Sequence, residues 1–169
     1  MSDKQYNLVA MGGTFDIIHT GHLALLNTAF SISSKVIIGL TGDEFAKTMG
    51  KNISNNYTSR AESLKAEIMD TFPDSDFEIS KLENDFGPAI LEEQVQALVV
   101  SEETKEKGKI LNNLRTKTGL SEVDVIIVPM VLAKDGNRIS TTRIKKKEID
   151  SEGNLVLLTK NLFMIDSLK

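Results

Sequence analysis

The sequence has no cysteine and no tryptophan, and only two histidines and three prolines. Without cysteine, disulfides, thiolate zinc sites and cysteine nucleophiles are all excluded, and a cytoplasmic location is the default expectation. Aromatic residues make up 5% of the chain, too sparse a set for a platform on which single-stranded bases stack. Positive charge is also in short supply. The net charge is −4, whereas a nucleic-acid-binding domain is usually basic, so no nucleic-acid partner is expected. The one basic run, residues 143–147, is short and leads into Glu148 and Asp150. Its Lys145, Lys146 and Lys147 read as a solvated helix face. No apolar run approaches the roughly 18 residues of a membrane span. The opening MSDKQYN leads into an apolar stretch too short for a secretory segment, so no membrane partner is expected either. Repeats, low-complexity tracts and Pro/Gly-rich linkers are also lacking. What remains is a chain of 169 residues, 40% apolar, long enough for one domain with a sizeable core. A single domain over 1–169 is expected, its oligomeric state left open with a monomer preferred.

Short apolar runs rich in β-branched residues alternate with helical stretches. Strands are predicted at residues 6–11 (YNLVAM), 35–41 (KVIIGLT), 77–82, 97–101 (ALVVS) and 123–129 (VDVIIVP). A helix over 22–33 places Leu23, Leu26 and Phe30 on one face. Residues 51–57 (KNISNNY) are polar and turn-prone, hence a loop. Ser59 and Glu62 have the spacing of a capping box, opening a helix to about Phe72. Gly87-Pro88 suits the start of a short helix. A helix over about 102–117 is weakened by Gly108, and its Asn112 and Arg115 read as a solvated face. A last helix begins near Ser140, and 155–165 (LVLLTKNLFMI) suits a further strand. Alternating strands and helices imply βαβ units. The expected fold is therefore α/β: a Rossmann-like, doubly wound, five-stranded parallel sheet with helices on both faces. Ligands bind such sheets past the carboxyl ends of the strands. Residues 11–22, 101–104 and 139–143 all follow strands there, so three unusual segments are expected at one edge of the sheet.

The first of these segments, MGGTFDIIHTGH, holds both histidines. Glycine allows close backbone approach to a ligand, and a strand-to-helix turn offers N–H groups to an anion. Gly12-Gly13-Thr14 is nevertheless neither a Walker loop nor G-x-G-x-x-G, because the lysine and the third glycine are missing. His19 and His22, three apart across a helix start, can face the same side and donate to phosphate oxygens. A zinc site is the rival reading, with Asp16 as a third ligand and no metal-binding spacing to support it. Asp16 has the alternative of capping the local turn. Ser140-Thr141-Thr142-Arg143 places three hydroxyls and an arginine at a helix start. Capping explains one hydroxyl; the set resembles a phosphate cradle. Lys47 and Lys51 flank a loop, with Arg60 soon after.

GGTFDIIHTGH resembles the opening signature of the nucleotidylyltransferase superfamily, G-T-F-D…H-x-G-H, and ISTTR resembles its second signature, I-S-S-T-R. The likeness extends over most of 7–150, leaving 151–169 as a carboxyl-terminal extension. Thr141 stands where serine is more usual and keeps the hydroxyl. Within the superfamily the chain is most similar to the phosphopantetheine adenylyltransferases of archaeal and eukaryotic type, on KVIIGLTGDEFA, Arg60, ALVVSEETKEKG, NNLRTKTGL and DGNRISTTRIKKKEID. That resemblance implies transfer of AMP from ATP to 4′-phosphopantetheine with magnesium, the ion held mainly by the ATP phosphates. It further implies His22, Thr14 and His19 as catalytic residues. ATP would be bound by Gly12, Gly13, His19, His22, Ser101, Glu102, Glu103, Ser140, Thr141, Thr142 and Arg143. The acceptor would be bound by Thr14, Asp16, Lys51 and Lys47. Cytidylyl transfer to glycerol 3-phosphate, adenylyl transfer to a mononucleotide and a non-catalytic nucleotide-binding module are the competing expectations.

Overall fold

The structure is a computed structural model that describes residues 4–87 and 92–156. The chain divides into two compact units. One comprises Met1–Asp16 and Leu25–Pro129; the other comprises Ile17–Ala24 and Met130–Lys169.

The first unit is built on a five-stranded, wholly parallel sheet with strand order β3-β2-β1-β4-β5. Its strands are β1 (Tyr6–Gly13), β2 (Ser33–Thr41), β3 (Phe77–Leu82), β4 (Ala97–Ser101) and β5 (Asp124–Val128). Helix α1 (Thr20–Ile32) lies between β1 and β2 in sequence, α2 (Asp43–Thr48) and α3 (Tyr57–Thr71) between β2 and β3, and α4 (Glu106–Lys117) between β4 and β5. The expected Rossmann-like α/β fold is therefore present. β2 to β3 and β4 to β5 step in opposite directions along the sheet. Right-handed crossovers then place α3 and α4 on opposite faces. The burial agrees with sandwiching on both sides. Ala10, Ile37, Leu98 and Val100 join Leu111 of α4 in one cluster. The alternate residues Val9, Met11, Val36 and Ile38 are equally buried, as are Leu64 and Ile68 of α3.

Several local expectations need correction. Gly12 and Gly13 do not form a turn: they end β1, paired with Gly39 and Leu40 of β2. Helix α2 went unread, since six residues carry too little periodicity to register. Its dipole is served by Asp43 and Glu44 in the first turn and Lys47 in the last. The cap of α3 is not Ser59. The side chain of Asn56, in extended backbone, accepts from the Ser59 N–H at 2.9 Å, which makes Ser59 the third helical residue. Asparagine is as good a cap as serine, and the polar run hid it. Helix α4 starts four residues late, because Thr104 accepts from the Ser101 N–H at 3.2 Å and its own N–H donates to the Ser101 carbonyl at 3.1 Å. Gly108 does more than weaken that helix. A Cβ there would lie 2.5 Å from Val125 Cγ2 and 3.2 Å from its Cβ, so glycine is what lets α4 lie close on β5.

Asn112 and Arg115 are not a solvated face. Asn112 Nδ2 donates to the Val123 carbonyl and its Oδ1 accepts the Val123 N–H. Arg115 is 1% exposed and donates to the carbonyls of Ser121, Glu92 and Val95. Burying a guanidinium is tolerable only when its donors are matched in this way.

In the second unit, Ala133, Ile139 and Ile149 form a small core, with Val131 and Ile144 against it. Ser140 caps the short helix α5 (Thr141–Lys145), accepting from the Arg143 N–H at 3.2 Å. Lys146 and Lys147 are exposed and Lys145 half-buried. Two bridges, Leu132 to Arg138 and Ile149 to Leu155, are antiparallel. The short helix expected from Gly87-Pro88 and the strand expected over 155–165 fall largely outside the described residues.

Candidate functional site

In the first unit the site grows from the end of β1. Thr14 follows that strand, and Phe15 behind it takes a left-handed φ of 50° with its ring buried. A bulky residue in that region is strained and persists only where packing holds it. Lys51 Nζ donates to Thr14 Oγ1 at 2.8 Å. Thr14 Oγ1 lies 3.4 Å from Thr41 Oγ1, which donates to the Gly13 carbonyl at 3.2 Å. Of the two candidate lysines, Lys51 is thus the one at Thr14, while Lys47 lies exposed beside Glu44 at 3.4 Å. Desolvation of the Lys51 ammonium, with the like charges of Lys107 and Arg60, lowers its pKa, and Glu103 opposes the shift.

Arg60, on the first turn of α3, is 1% exposed. It spends its donors on four partners: the carbonyls of Asn55, Thr14 and Thr41, at 2.9, 2.9 and 2.7 Å, and Asp43 Oδ1 at 2.8 Å. The hydrogen bond from Arg60 is the main reason that the Asp43 pKa is lowered. Asp16 engages the loop that carries Lys51. Its carboxylate accepts the N–H groups of Ser54 at 2.8 Å and Asn55 at 3.0 Å. Ser101 ends β4, which runs parallel beside β1, so Thr14 and Ser101 share the carboxyl edge of the sheet as expected. The Ser101 hydroxyl meets that of Thr104 at 3.1 Å, and Glu102 pairs with Lys105 at 3.6 Å.

In the second unit the two imidazoles stack, with centroids 3.8 Å apart and planes 22° from parallel. Each ring accepts a backbone N–H at Nδ1: His19 from Gly21 at 3.1 Å, and His22 from His19 at 3.2 Å. Those bonds assign both neutral rings the tautomer whose proton sits on Nε2. Gly21 is what permits this. A Cβ there would stand 2.9 Å from His19 Cε1 and 3.0 Å from Nδ1. Burial, aided by the charge of Arg138, lowers the His19 pKa to about 4, so this ring is neutral at physiological pH. The hydroxyl of Thr20 is buried with no partner among the described residues.

The second signature meets the first within this unit, as Thr141 Oγ1 reaches the Ile17 carbonyl at 3.5 Å. Thr142 is exposed. Arg143 is held by its own neighbours: Nε donates to Glu148 Oε2 at 3.0 Å, Nη1 to the Arg138 carbonyl at 2.8 Å, and Nη2 pairs with Asp135. Among the described residues no group of three or more His, Asp or Glu side chains could hold a metal ion.

Sequence reasoning missed the burial of Arg60, the hub at Asn55 and the carboxylates on Arg143. The only hints were an arginine just inside a capped helix and Asp135 eight residues before Arg143, and neither implies a contact.

Three comparisons bear on this geometry. The pattern of the cytidylyltransferase-like family matches residues 10–147. Phosphopantetheine adenylyltransferase of Methanothermobacter thermautotrophicus is 39% identical over 153 residues, covering 90% of this chain and 92% of its own length. The Methanosarcina barkeri protein of the same name is 42% identical over 151 residues, covering 87% and 91%. Among solved structures, a protein of unknown function from Archaeoglobus fulgidus aligns with a TM-score of 0.65 at 30% identity, over 72% of this chain and 88% of that one.

Proposed function

The chain belongs to the cytidylyltransferase-like family, and from that premise we propose that it transfers the AMP moiety of ATP to 4′-phosphopantetheine, yielding dephospho-coenzyme A and pyrophosphate. The names of its relatives support ATP and phosphopantetheine over the cytidylyl, mononucleotide and non-catalytic alternatives. The observation that carries the chemistry is the pair of imidazoles held as Nε2–H donors by backbone N–H groups at the start of α1. Such rings suit negative charge, and the low pKa of His19 makes it a poor base near neutral pH.

No base is needed. The phosphate monoester of the acceptor is already a nucleophile. Its oxygen attacks the α-phosphorus in line, the new P–O bond forms, and the bond to the β-phosphate breaks to release pyrophosphate. Catalysis is then positioning and charge stabilisation. In the first unit, Thr14 and Lys51 receive the acceptor phosphate, which takes the place of the Thr14 hydroxyl as partner to the Lys51 ammonium. Asp16 serves the loop, and Lys47 lies aside. Gly12 and Gly13 give the triphosphate backbone access, and residues 101–103 border the adenosine. In the second unit, His22 stabilises charge on the α-phosphate and His19 orients the phosphates beside it. Ser140, Thr141, Thr142 and Arg143 hold the β- and γ-phosphates, Arg143 by exchanging Asp135 for a phosphate oxygen. The donors at these positions are cationic or neutral, which suits the triphosphate itself. Magnesium, carried on it, would neutralise charge on the leaving pyrophosphate.

The test is magnesium-dependent pyrophosphate release with ATP or CTP against 4′-phosphopantetheine, glycerol 3-phosphate and nicotinamide mononucleotide. Release only from ATP with 4′-phosphopantetheine is expected. His22→Ala should lower kcat by about 10²–10³, the cost of losing one preorganised donor. Release with a different pair, or near-normal turnover by folded H22A, refutes the corresponding assignment.

A further inference from the structure

The loop carrying Lys51 is clamped from two sides at one residue, Asn55. On one side Asp16 binds it: the backbone N–H of Asn55 donates to Asp16 Oδ1 at 3.0 Å, and its Nδ2 donates to the Asp16 carbonyl at 3.0 Å and to Oδ1 at 3.2 Å. The Ser54 N–H adds a bond to Oδ2 at 2.8 Å. On the other side, the Asn55 carbonyl accepts Arg60 Nε at 2.9 Å. The same guanidinium grips the Thr14 carbonyl at 2.9 Å and the Thr41 carbonyl at 2.7 Å through Nη1. Its central carbon lies over the Tyr57 ring, 5.9 Å from the centroid. One rigid, buried fork therefore holds the backbone of Thr14 and the backbone of the loop from which Lys51 reaches the Thr14 hydroxyl.

We propose that Asp16, Asn55 and Arg60 form a strap that sets Lys51 against Thr14, and that all three are positioning residues for the acceptor phosphate. The role rests on the adenylyl transfer proposed above. Its physical basis is that a lysine ammonium is a point charge on a four-carbon stem with many rotamers. Locating that charge to within an ångström requires its backbone to be fixed, since a rotamer-rich side chain that must be ordered at the moment of binding loses up to about tenfold in affinity. Arginine suits the task because its planar fork serves several acceptors at fixed angles, which lysine cannot do. Asp16 belongs to the opening signature, and on this reading its carboxylate serves the Ser54 and Asn55 N–H groups and makes no contact with substrate.

The test compares wild type with Asp16→Asn, Asn55→Ala and the double variant, using pyrophosphate release and native-state hydrogen exchange. Asn55 is exposed and Asp16 only half-buried, so both substitutions leave the core intact. The expected result is a rise of about three- to tenfold in KM for 4′-phosphopantetheine in each single variant, with KM for ATP within about twofold of wild type. The double variant should fall short of the sum of the singles, because both substitutions weaken the same contact: Asn55→Ala removes its two Nδ2 bonds and Asp16→Asn the charge of its acceptor. The Ser54 amide should exchange faster in Asp16→Asn. A fall in kcat with both KM values unchanged, or both KM values rising together, overturns the proposal. So does a KM effect of D16N without faster exchange at Ser54, which would mark Asp16 as a direct substrate ligand. A wild type that releases no pyrophosphate refutes the adenylyl-transfer reading and with it the role in acceptor binding, and unchanged exchange at Ser54 refutes the strap itself.

Discussion

His19→Asn is a perturbation whose effect can be worked from the site. The native ring is buried, its Nδ1 accepts the Gly21 N–H, and its pKa is lowered to about 4. In the unfolded chain the same ring titrates near 6.5. Between those values the unfolded chain holds a proton that the folded chain refuses, so unfolding takes up a proton and stability falls as the solution is acidified. The contribution is nearly absent at pH 7. The lost stability reaches about 2 kcal/mol at pH 5 and about 3 kcal/mol below pH 4, where it levels off. Asparagine keeps an acceptor near the Nδ1 position and does not titrate. The assay is urea unfolding of proteins with and without H19N at pH 7 and pH 5. The loss between the two pH values should be smaller by about 2 kcal/mol with H19N. His22 stacks on His19, so both proteins carry His22→Asn in this comparison, and the lowered carboxyl pKa values of Asp43, Asp135 and Asp150 place those groups outside the window. Equal losses in the two proteins would refute the argument that this ring is kept neutral by burial.

Three further outcomes are expected. Gly21→Ala, whose new methyl would collide with the His19 ring, should lower kcat by about 10²-fold with the far-ultraviolet circular dichroism unchanged. Asp135→Asn weakens the hold on Arg143 and should lower KM for ATP by about threefold in steady-state kinetics; an unchanged or higher KM argues that Arg143 does not leave Asp135 for the triphosphate. Gly108→Ala gains helix propensity of about 1 kcal/mol at most. It meets Val125 at 2.5 Å, an overpacking that costs about 1–3 kcal/mol. The net should be destabilisation in thermal unfolding, relieved by pairing it with Val125→Ala.

Much of the fold is legible along the chain. The strand at residues 97–101 falls where its apolar, β-branched run places it, because a strand covered on both faces reads as a continuous apolar run, and the one at 77–82 opens on the apolar–polar alternation of a half-buried edge strand. The histidine pair and the hydroxyl cluster stand out because their chemistry is unusual at short spacing, whereas Thr14 and Lys51 are placed with the acceptor by the family resemblance. Other features escape because they are written in no local pattern. Helix α2 is too short for a period, and two adjacent asparagines conceal which residue caps α3. Arg60 and Arg115 carry charges that lie at the surface in most sequences. Nothing beside them in the chain indicates that backbone carbonyls will be waiting in the interior.

The sequence by itself determined the alternation of strands and helices other than α2, the parallel sheet and the set of candidate site residues, since these follow from hydrophobic period and from short motifs. Tertiary structure alone decided which candidates meet. It chose Lys51 over Lys47 as the partner of Thr14 and closed the bonds from Asp16 to Asn55, 39 residues away. It also buried one arginine at a meeting point of three carbonyls. The physical reason is that a hydrogen bond depends on distance in space, and only the folded chain brings acceptors from the residue after β1, from β2 and from a loop to a single guanidinium.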